Sequence, residues 1–263
     1  QLSYASNKKT RFALRINPNV DAGTHEYITT GKRDNKFGIT LEELNLAIPL
    51  IKSLEYAEFL GIHFHIGSQI TDLSSFKELV DRCNEVQHLL VDHSFELSHI
   101  NVGGGLGIDY DQPDINSIAD FKGYFNCFKK NLNLLPNQTL HFELGRSLVA
   151  QCGSLISRVL YIKPAEKTSF MILDAGMTEL IRPALYQSFH FIQNLSSCDG
   201  SDVYDVVGPI CETSDAFARG LSLPKTKRGD MLAIRSVGAY GEVMASQYNL
   251  REVAPCIFSD DFK

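Results

Sequence analysis

The chain has 263 residues, a formal net charge of −6, and 44% hydrophobic against 21% charged residues. No run approaches the 18 apolar residues of a membrane span, and the scattered lysines and arginines argue against nucleic acid or an anionic membrane as the main partner. No secretory leader opens the sequence and its six cysteines form no CxxC pair, so we expect reduced thiols in a cytoplasmic protein.

Short strands and longer helices alternate through the first half of the chain. Predicted strands cover residues 11–18, 60–68, 99–105 and 140–146, and predicted helices cover residues 41–57, 73–93 and 118–133. Thr40 and Glu43 form a predicted capping box at the start of the first of these helices. A unit of about 40 residues indicates a parallel sheet with helical crossovers. Polar residues gather at the carboxyl ends of the strands, which favours half of an eight-stranded β/α barrel over a small open sheet.

After about residue 147 the pattern changes. Strand-like segments at residues 153–164, 169–176, 202–209 and 230–241 follow one another without long helices. We therefore predict an α/β protein with two domains. Residues 1–147 would form the second half of a barrel, and residues 148–263 would form a β-rich domain.

Alternation along the predicted strands identifies inward-facing polar residues. A period of two places His63 and His65 opposite an apolar face, and places Glu143 inward near the end of the fourth strand. A carboxylate inside a barrel needs a cationic partner because an unpaired buried charge costs several kcal/mol. That partner could be Arg146, just beyond the strand, or a bound cation.

The glycine run at residues 103–105 adds a candidate anion site. Its backbone N–H groups suit a phosphate, and Ser68 and Arg146 fall at the same end of the predicted sheet. A phosphate site, a carboxylate that needs a cation, and a flat histidine together point to pyridoxal phosphate (PLP).

A metal-dependent barrel hydrolase is the alternative interpretation of His63 and His65. Their spacing suits an inward metal pair, but such a site needs more His or Asp ligands at other strand ends. At those ends the sequence has Gly103 and Glu143.

Six motifs carry a family resemblance. They are "GIHFHIGSQ", "NVGGGLGI", "ELGRS", "DAGMTELIRPALY", "VGPICETSD" and "GAYGEVMASQYN". In order and spacing the sequence resembles the PLP-dependent diaminopimelate decarboxylases of the alanine-racemase-like, or fold type III, group. The resemblance implies decarboxylation of meso-2,6-diaminopimelate at its D-centre to L-lysine, the last step of lysine biosynthesis. It also implies a homodimer in which the "CETSD" loop of one subunit enters the site of the other.

Two other functions remain open beside this one. The chain could belong to another fold type III decarboxylase, acting on ornithine, arginine or carboxynorspermidine, or to a protein that binds PLP without turnover. Arg182 and Glu212 favour diaminopimelate, because a substrate whose far end is itself an amino acid needs a cation and an anion together.

The resemblance implies a role for each matching residue. His65 would stack on the PLP ring, and Glu143 would keep the pyridine nitrogen protonated. Cys211 would be the general acid that returns a proton. The phosphate side would be formed by Ser68, Gly103, Gly104, Gly105, Gly145, Arg146 and Tyr240. The substrate contacts would be Arg146, Arg182, Tyr186, Glu212 and Tyr240.

The Schiff-base lysine of the family lies on an early barrel strand that these residues do not include. Lys36 in "NKFGI" matches a different segment of the family. We therefore expect the 263 residues alone to bind PLP weakly and to decarboxylate nothing.

Overall fold

A computed structural model of the chain describes residues 2–21, 36–166 and 168–262. The chain divides into two compact units. Unit 1 contains residues 1–107 and 120–145, and unit 2 contains residues 108–119 and 146–263. The division at 145/146 lies two residues before the predicted domain boundary, and residues 108–119 belong to unit 2. Nowhere in these described ranges is there a helix long and apolar enough to cross a bilayer.

Unit 1 alternates helices and strands. In chain order its elements are α1 (Leu2–Ser6), β1 (Thr10–Arg15), α2 (Leu41–Lys52), β2 (Ala57–His63), α3 (Ser74–Asp92), β3 (His99–Asn101), α4 (Phe121–Asn131) and β4 (Thr139–His141). The strands form one sheet in the order β1-β2-β3-β4, and every neighbouring pair is parallel. The predicted parallel sheet with helical crossovers is therefore confirmed.

Local sequence explains where the helices begin and what they bury. At the start of α2, the Thr40 N–H donates to Glu43 Oε2 at 2.7 Å and the Glu43 N–H donates to Thr40 Oγ1 at 3.2 Å, which is the predicted capping box. Helices α3 and α4 pack through aromatic side chains, with the rings of Phe76 and Tyr124 edge to face at 4.8 Å. On the strand side, Phe64 and its apolar neighbours are fully buried, as the period of two predicts.

Unit 2 is mostly β. Its elements are α5 (Arg146–Val149), β5 (Ser154–Lys163), β6 (Ser169–Leu173), α6 (Arg182–Tyr186), β7 (Ile192–Asn194), β8 (Asp202–Val207), β9 (Ala216–Leu223) and β10 (Met231–Arg235). Short 3-10 turns cover Ala150–Cys152, Glu242–Met244, Tyr248–Leu250 and Ser259–Phe262. The strands form one sheet in the order β7-β10-β5-β6-β8-β9, antiparallel except for β6 and β8. The predicted change from β/α alternation to a β-rich segment is confirmed.

Candidate active site

A cluster around Glu143 lies at one edge of the unit 1 sheet. His63 and Asn101 are the last residues of β2 and β3, and Glu143 follows the end of β4. Because parallel strands end at the same edge, the three side chains meet there. The Glu143 carboxylate lies 3.2 Å from His63 Nε2 and accepts a bond from Asn101 Nδ2 at 2.9 Å. We call these three residues the carboxylate cluster.

The carboxylate cluster keeps Glu143 ionised. Burial raises the pKa of Glu143, but the hydrogen bonds from His63 and Asn101 and the nearby histidines outweigh it, so its pKa lies below the ordinary value. The Glu143 side chain is 54% exposed, not buried as the sequence predicts, and its described hydrogen-bond partners within unit 1 are His63 and Asn101. Asn101 was not predicted, although it lies two residues before the glycine run and ends β3.

His65 is held in one tautomer. Its Nδ1 accepts a bond from the Gly104 N–H at 3.2 Å, which leaves the ring proton on Nε2. Burial lowers the pKa of His65, and the positive charges of Arg15 and His63 lower it further. His65 is therefore a neutral ring at neutral pH.

The glycine run allows close backbone packing as well as offering N–H groups. The Gly103 N–H donates to Asn101 Oδ1 at 2.9 Å, and the Gly104 N–H donates to His65 Nδ1. A Cβ on Gly104 would lie 2.2 Å from the Glu143 carbonyl oxygen, and one on Gly103 would lie 2.3 Å from that of Phe64. The run therefore sets the spacing between β2, β3 and the carboxylate cluster.

We expect Gly104→Ala to lower the free energy of unfolding by about 3 kcal/mol, the upper end of usual overpacking costs, because the collision is with backbone. Gly220→Ala is the control, since its Cβ would meet nothing within 4 Å and carries only the strain of a φ of +61°, a cost of about 1 kcal/mol. Urea unfolding of both variants measures the difference. Equal destabilisation would contradict the packing role of Gly104.

A second cluster, in unit 2, brings together two buried arginines. Arg146 and Arg182 are 5% and 4% exposed. Both donate from Nη1 to the Tyr110 hydroxyl, at 2.6 Å from Arg146 and 3.0 Å from Arg182. Tyr240 lies beside the pair, with Arg146 Cζ 4.9 Å from its ring centre. Tyr110 was not predicted, and the sequence gives no periodic signal for it.

His190 completes this second cluster. Its Nε2 lies 2.8 Å from Arg182 Nη1, and its Nδ1 lies 2.9 Å from the Arg235 carbonyl oxygen. A carbonyl only accepts, so Nδ1 carries the proton and Nε2 accepts from Arg182. Burial lowers the pKa of His190 to about 4. We call Arg146, Arg182, Tyr110 and His190 the arginine cluster.

The depressed pKa of His190 predicts a loss of stability in acid. The unfolded chain binds a proton near pH 6.5 and the folded chain only near pH 4, so stability falls as the pH drops through that window. At 1.36 kcal/mol per pKa unit, the loss from pH 7 to pH 5 is roughly 2 kcal/mol. Urea unfolding of His190→Gln should lack this part of the pH dependence, whereas the exposed His88→Gln should keep it. An unchanged slope in His190→Gln would contradict the assignment.

The loop at residues 208–215 carries Cys211 and Glu212, both exposed. Asp215 anchors it, accepting bonds from the N–H groups of Met177 at 2.6 Å and Ile210 at 2.7 Å. The Tyr248 hydroxyl donates to Glu212 Oε1 at 2.6 Å. Among the described residues of unit 2, no hydrogen bond or ion pair joins Glu212 to the arginine cluster.

The remaining predicted site residues occupy positions near these clusters along the chain. Ser68 is half-buried beyond β2, and Gly145 is exposed in the segment after β4. Tyr186 is the last residue of α6, whose first residue is Arg182.

Over residues 2–21, 36–166 and 168–262, no group of three His, Cys, Asp or Glu residues could hold a metal ion. The hydrolase alternative therefore has no ligand set in these ranges.

Residues 1–150 match the family model described as "Pyridoxal-dependent decarboxylase, pyridoxal binding domain". The diaminopimelate decarboxylase of Bacteroides thetaiotaomicron is 53% identical over 261 residues, which are 99% of this chain and 68% of that protein. That of Helicobacter pylori (strain J99) is 42% identical over 92% of this chain and 60% of that protein. The chain thus spans about two thirds or less of these relatives.

A crystal structure of diaminopimelate decarboxylase from Helicobacter pylori complexed with L-lysine superposes with a TM-score of 0.84 at 37% identity. The superposition covers 96% of this chain and 62% of that one. The family model covers more than half of the chain, and the Bacteroides relative matches nearly all of it. This chain therefore belongs to the diaminopimelate decarboxylase family of pyridoxal-dependent decarboxylases, whose cofactor is pyridoxal phosphate.

Proposed function

We propose that the protein containing this chain decarboxylates meso-2,6-diaminopimelate at its D-centre and releases L-lysine. The observation that carries the proposal is the burial of Arg182. Within the part of the chain that the structure describes, no carboxylate pairs with this guanidinium and its Nε is buried without a hydrogen-bond partner. A buried cation without a counter-charge is costly, so a ligand anion is expected there.

The charge of Arg182 favours diaminopimelate over the simpler amino acids. Ornithine and arginine have one carboxylate, and it is the group that leaves. Diaminopimelate keeps a second carboxylate at its far end, which would pair with Arg182 in a charge-assisted hydrogen bond. A crystallised relative binds L-lysine, which has that same carboxylate.

The carboxylate cluster fits the ring of PLP. When bound, PLP supplies an electron sink for the pair left by the departing carbon dioxide. The ionised Glu143 would hold a proton at the pyridine nitrogen, and the neutral His65 would stack on the ring. For the phosphate side we propose Ser68, Gly103, Gly104, Gly105, Gly145, Arg146 and Tyr240. The phosphate would share or displace the bonds that the Gly103 and Gly104 N–H groups make in unit 1.

We further propose that Cys211 acts as the general acid and that Glu212 contacts the substrate ammonium, both supplied by the partner subunit of a homodimer. Support comes from the exposure of this loop and from the lack of a described contact between Glu212 and the arginine cluster. Mixing inactive Cys211→Ala and Arg182→Ala proteins tests sharing. If the sites are shared, random reassortment restores roughly a quarter of wild-type activity. No recovery after subunit exchange would show that both residues act within one subunit.

The cysteines bear on where the protein acts. All six are free thiols in the structure, and disulfides are rare in the reducing cytoplasm. We therefore propose a cytoplasmic location. Thiol labelling of natively extracted protein should find these six cysteines reduced, and a disulfide at any of them in freshly extracted protein would argue against it.

A substrate panel tests the proposed activity. The full-length protein with PLP should release carbon dioxide from meso-diaminopimelate and yield L-lysine. LL-diaminopimelate is the matched control, because it has the same groups and lacks a D-centre. We expect kcat/KM for the meso isomer to exceed those for LL-diaminopimelate and L-ornithine by at least about 100-fold. Preference for L-ornithine would replace this proposal with that of another fold type III decarboxylase.

A further inference from the structure

The arginine cluster contains two residues, Tyr110 and His190, whose role the proposed function leaves open. Neither matches a predicted substrate or cofactor contact. We propose that Tyr110 and His190 are positioning residues that orient the guanidinium of Arg182 toward the distal carboxylate of the substrate. This inference rests on the proposed function. It specifies how Arg182, the side chain proposed to bind the substrate, is held in place.

Arg182 Nη1 donates both of its protons in hydrogen bonds within unit 2. One bond goes to the Tyr110 hydroxyl at 3.0 Å and the other to His190 Nε2 at 2.8 Å. Because the guanidinium is planar, two bonds from one nitrogen fix both its plane and its rotation. Among the described residues, no hydrogen bond engages Nε or Nη2 of Arg182. The Nε–Nη2 edge is the fork that could bind a carboxylate with two parallel bonds.

Tyr110 holds the two arginines side by side. Its hydroxyl oxygen has two acceptor positions, and Arg146 and Arg182 each donate to it. Its ring centre also lies 5.0 Å from Arg182 Cζ and 5.9 Å from Arg146 Cζ, within range of cation–π attraction. These contacts offset the repulsion between two buried like charges, which a ligand anion would reduce further.

His190 can accept from Arg182 only because a backbone group sets its tautomer. The Arg235 carbonyl accepts a hydrogen bond from the Nδ1–H group at 2.9 Å, so the proton stays on Nδ1 and the lone pair of Nε2 faces Arg182. The His190 ring is 2% exposed and packs edge to face on Tyr110 at 4.9 Å. The position of the ring is thus fixed from both sides, and with it the Nη1 end of Arg182.

Three variants of the full-length holoenzyme separate positioning from a merely structural role. Tyr110→Phe keeps the ring and removes the shared acceptor. His190→Asn keeps a donor for the Arg235 carbonyl but does not reach Arg182, whereas His190→Gln places an amide oxygen near the position of Nε2. Tyr161→Phe on the exposed face of β5 is the control for loss of a tyrosine hydroxyl.

The readouts are kcat and KM for meso-diaminopimelate and the Kd values of L-lysine and cadaverine, which is lysine without its carboxylate. We expect Tyr110→Phe and His190→Asn to raise KM and the Kd of L-lysine by at least about tenfold. The Kd of cadaverine and kcat should stay near wild type, and His190→Gln should recover most of the loss.

Three outcomes would overturn the positioning role, and a fourth would overturn the proposed function. Equal weakening of L-lysine and cadaverine, or the same defect in His190→Gln and His190→Asn, would overturn the positioning role. Unchanged L-lysine affinity in Tyr110→Phe and His190→Asn would overturn it as well. A wild-type holoenzyme that does not turn over meso-diaminopimelate would instead overturn the proposed function.

Discussion

Arg182→Ala is expected to lower kcat/KM for meso-diaminopimelate by roughly 30- to 4,000-fold, which corresponds to the 2–5 kcal/mol usual for losing a buried charge-assisted partner. The side chain is 4% exposed and donates to Tyr110 and His190, both of which are neutral acceptors. Its removal therefore takes away the charge that the distal carboxylate would pair with. The absorbance spectrum of bound PLP should be unchanged, because the substitution leaves the carboxylate cluster of unit 1 intact.

The control for this prediction is Arg158→Ala on β5. Arg158 is exposed, and its backbone N–H, not its guanidinium, is the group bonded to Asp174. Steady-state kinetics should find it equal to wild type. If Arg182→Ala kept wild-type kinetics, the proposal that the substrate has an amino-acid group at each end would lose its main support.

Glu143→Gln is expected to lower kcat by about 100-fold or more, within the range of losing a positioned acid–base group. Glutamine keeps the shape of the side chain, but it removes the negative charge that the bonds from His63 and Asn101 stabilise. The pyridine nitrogen would then lose its proton at neutral pH, and the ring would accept electrons less well. A shift in the absorbance maximum of bound PLP gives a readout that does not depend on turnover.

Glu55→Gln serves as the matched control for Glu143→Gln. Glu55 is an exposed carboxylate in the same unit. It should leave both kcat and the spectrum unchanged. A Glu143→Gln enzyme with a wild-type spectrum and wild-type kcat would show that another group protonates the ring.

Local sequence signals predicted the elements whose stabilising contacts are local. The capping box at Thr40 and Glu43 predicted the start of α2 at Leu41. Its end at Lys52 comes five residues before the predicted limit of 57, because the chain enters β2 at Ala57. Strand β7 has only three residues, too few for a period, and β9 contains Gly220 at a φ of +61°. Strand β7 forms because β10, distant in sequence, offers it a partner, and β9 forms by pairing antiparallel with the preceding strand β8.

The candidate site also contains residues with a local sequence signal, which were predicted, and residues without one, which were missed. Glu143 was predicted because a carboxylate on an apolar strand is unusual and a buried one would need a partner. The structure exposes 54% of its side chain, yet His63 and Asn101 still bond to it. Tyr110 and His190 were missed because they lie in segments without a strand or helix period. Tyr110 is 72 residues from Arg182 in sequence. His190 obtains its tautomer from the Arg235 carbonyl, 45 residues away in sequence, and no local sequence pattern marks a backbone partner at that separation.

A crystal structure of the full-length protein with PLP and L-lysine tests the central claim most directly. The account predicts the lysine carboxylate at hydrogen-bond distance, about 2.7–2.9 Å, from the Nε–Nη2 edge of Arg182. Arg182 Nη1 should still donate to Tyr110 and His190. A lysine bound with its carboxylate on another cation, with Arg182 contacting only Tyr110 and His190, would contradict the account.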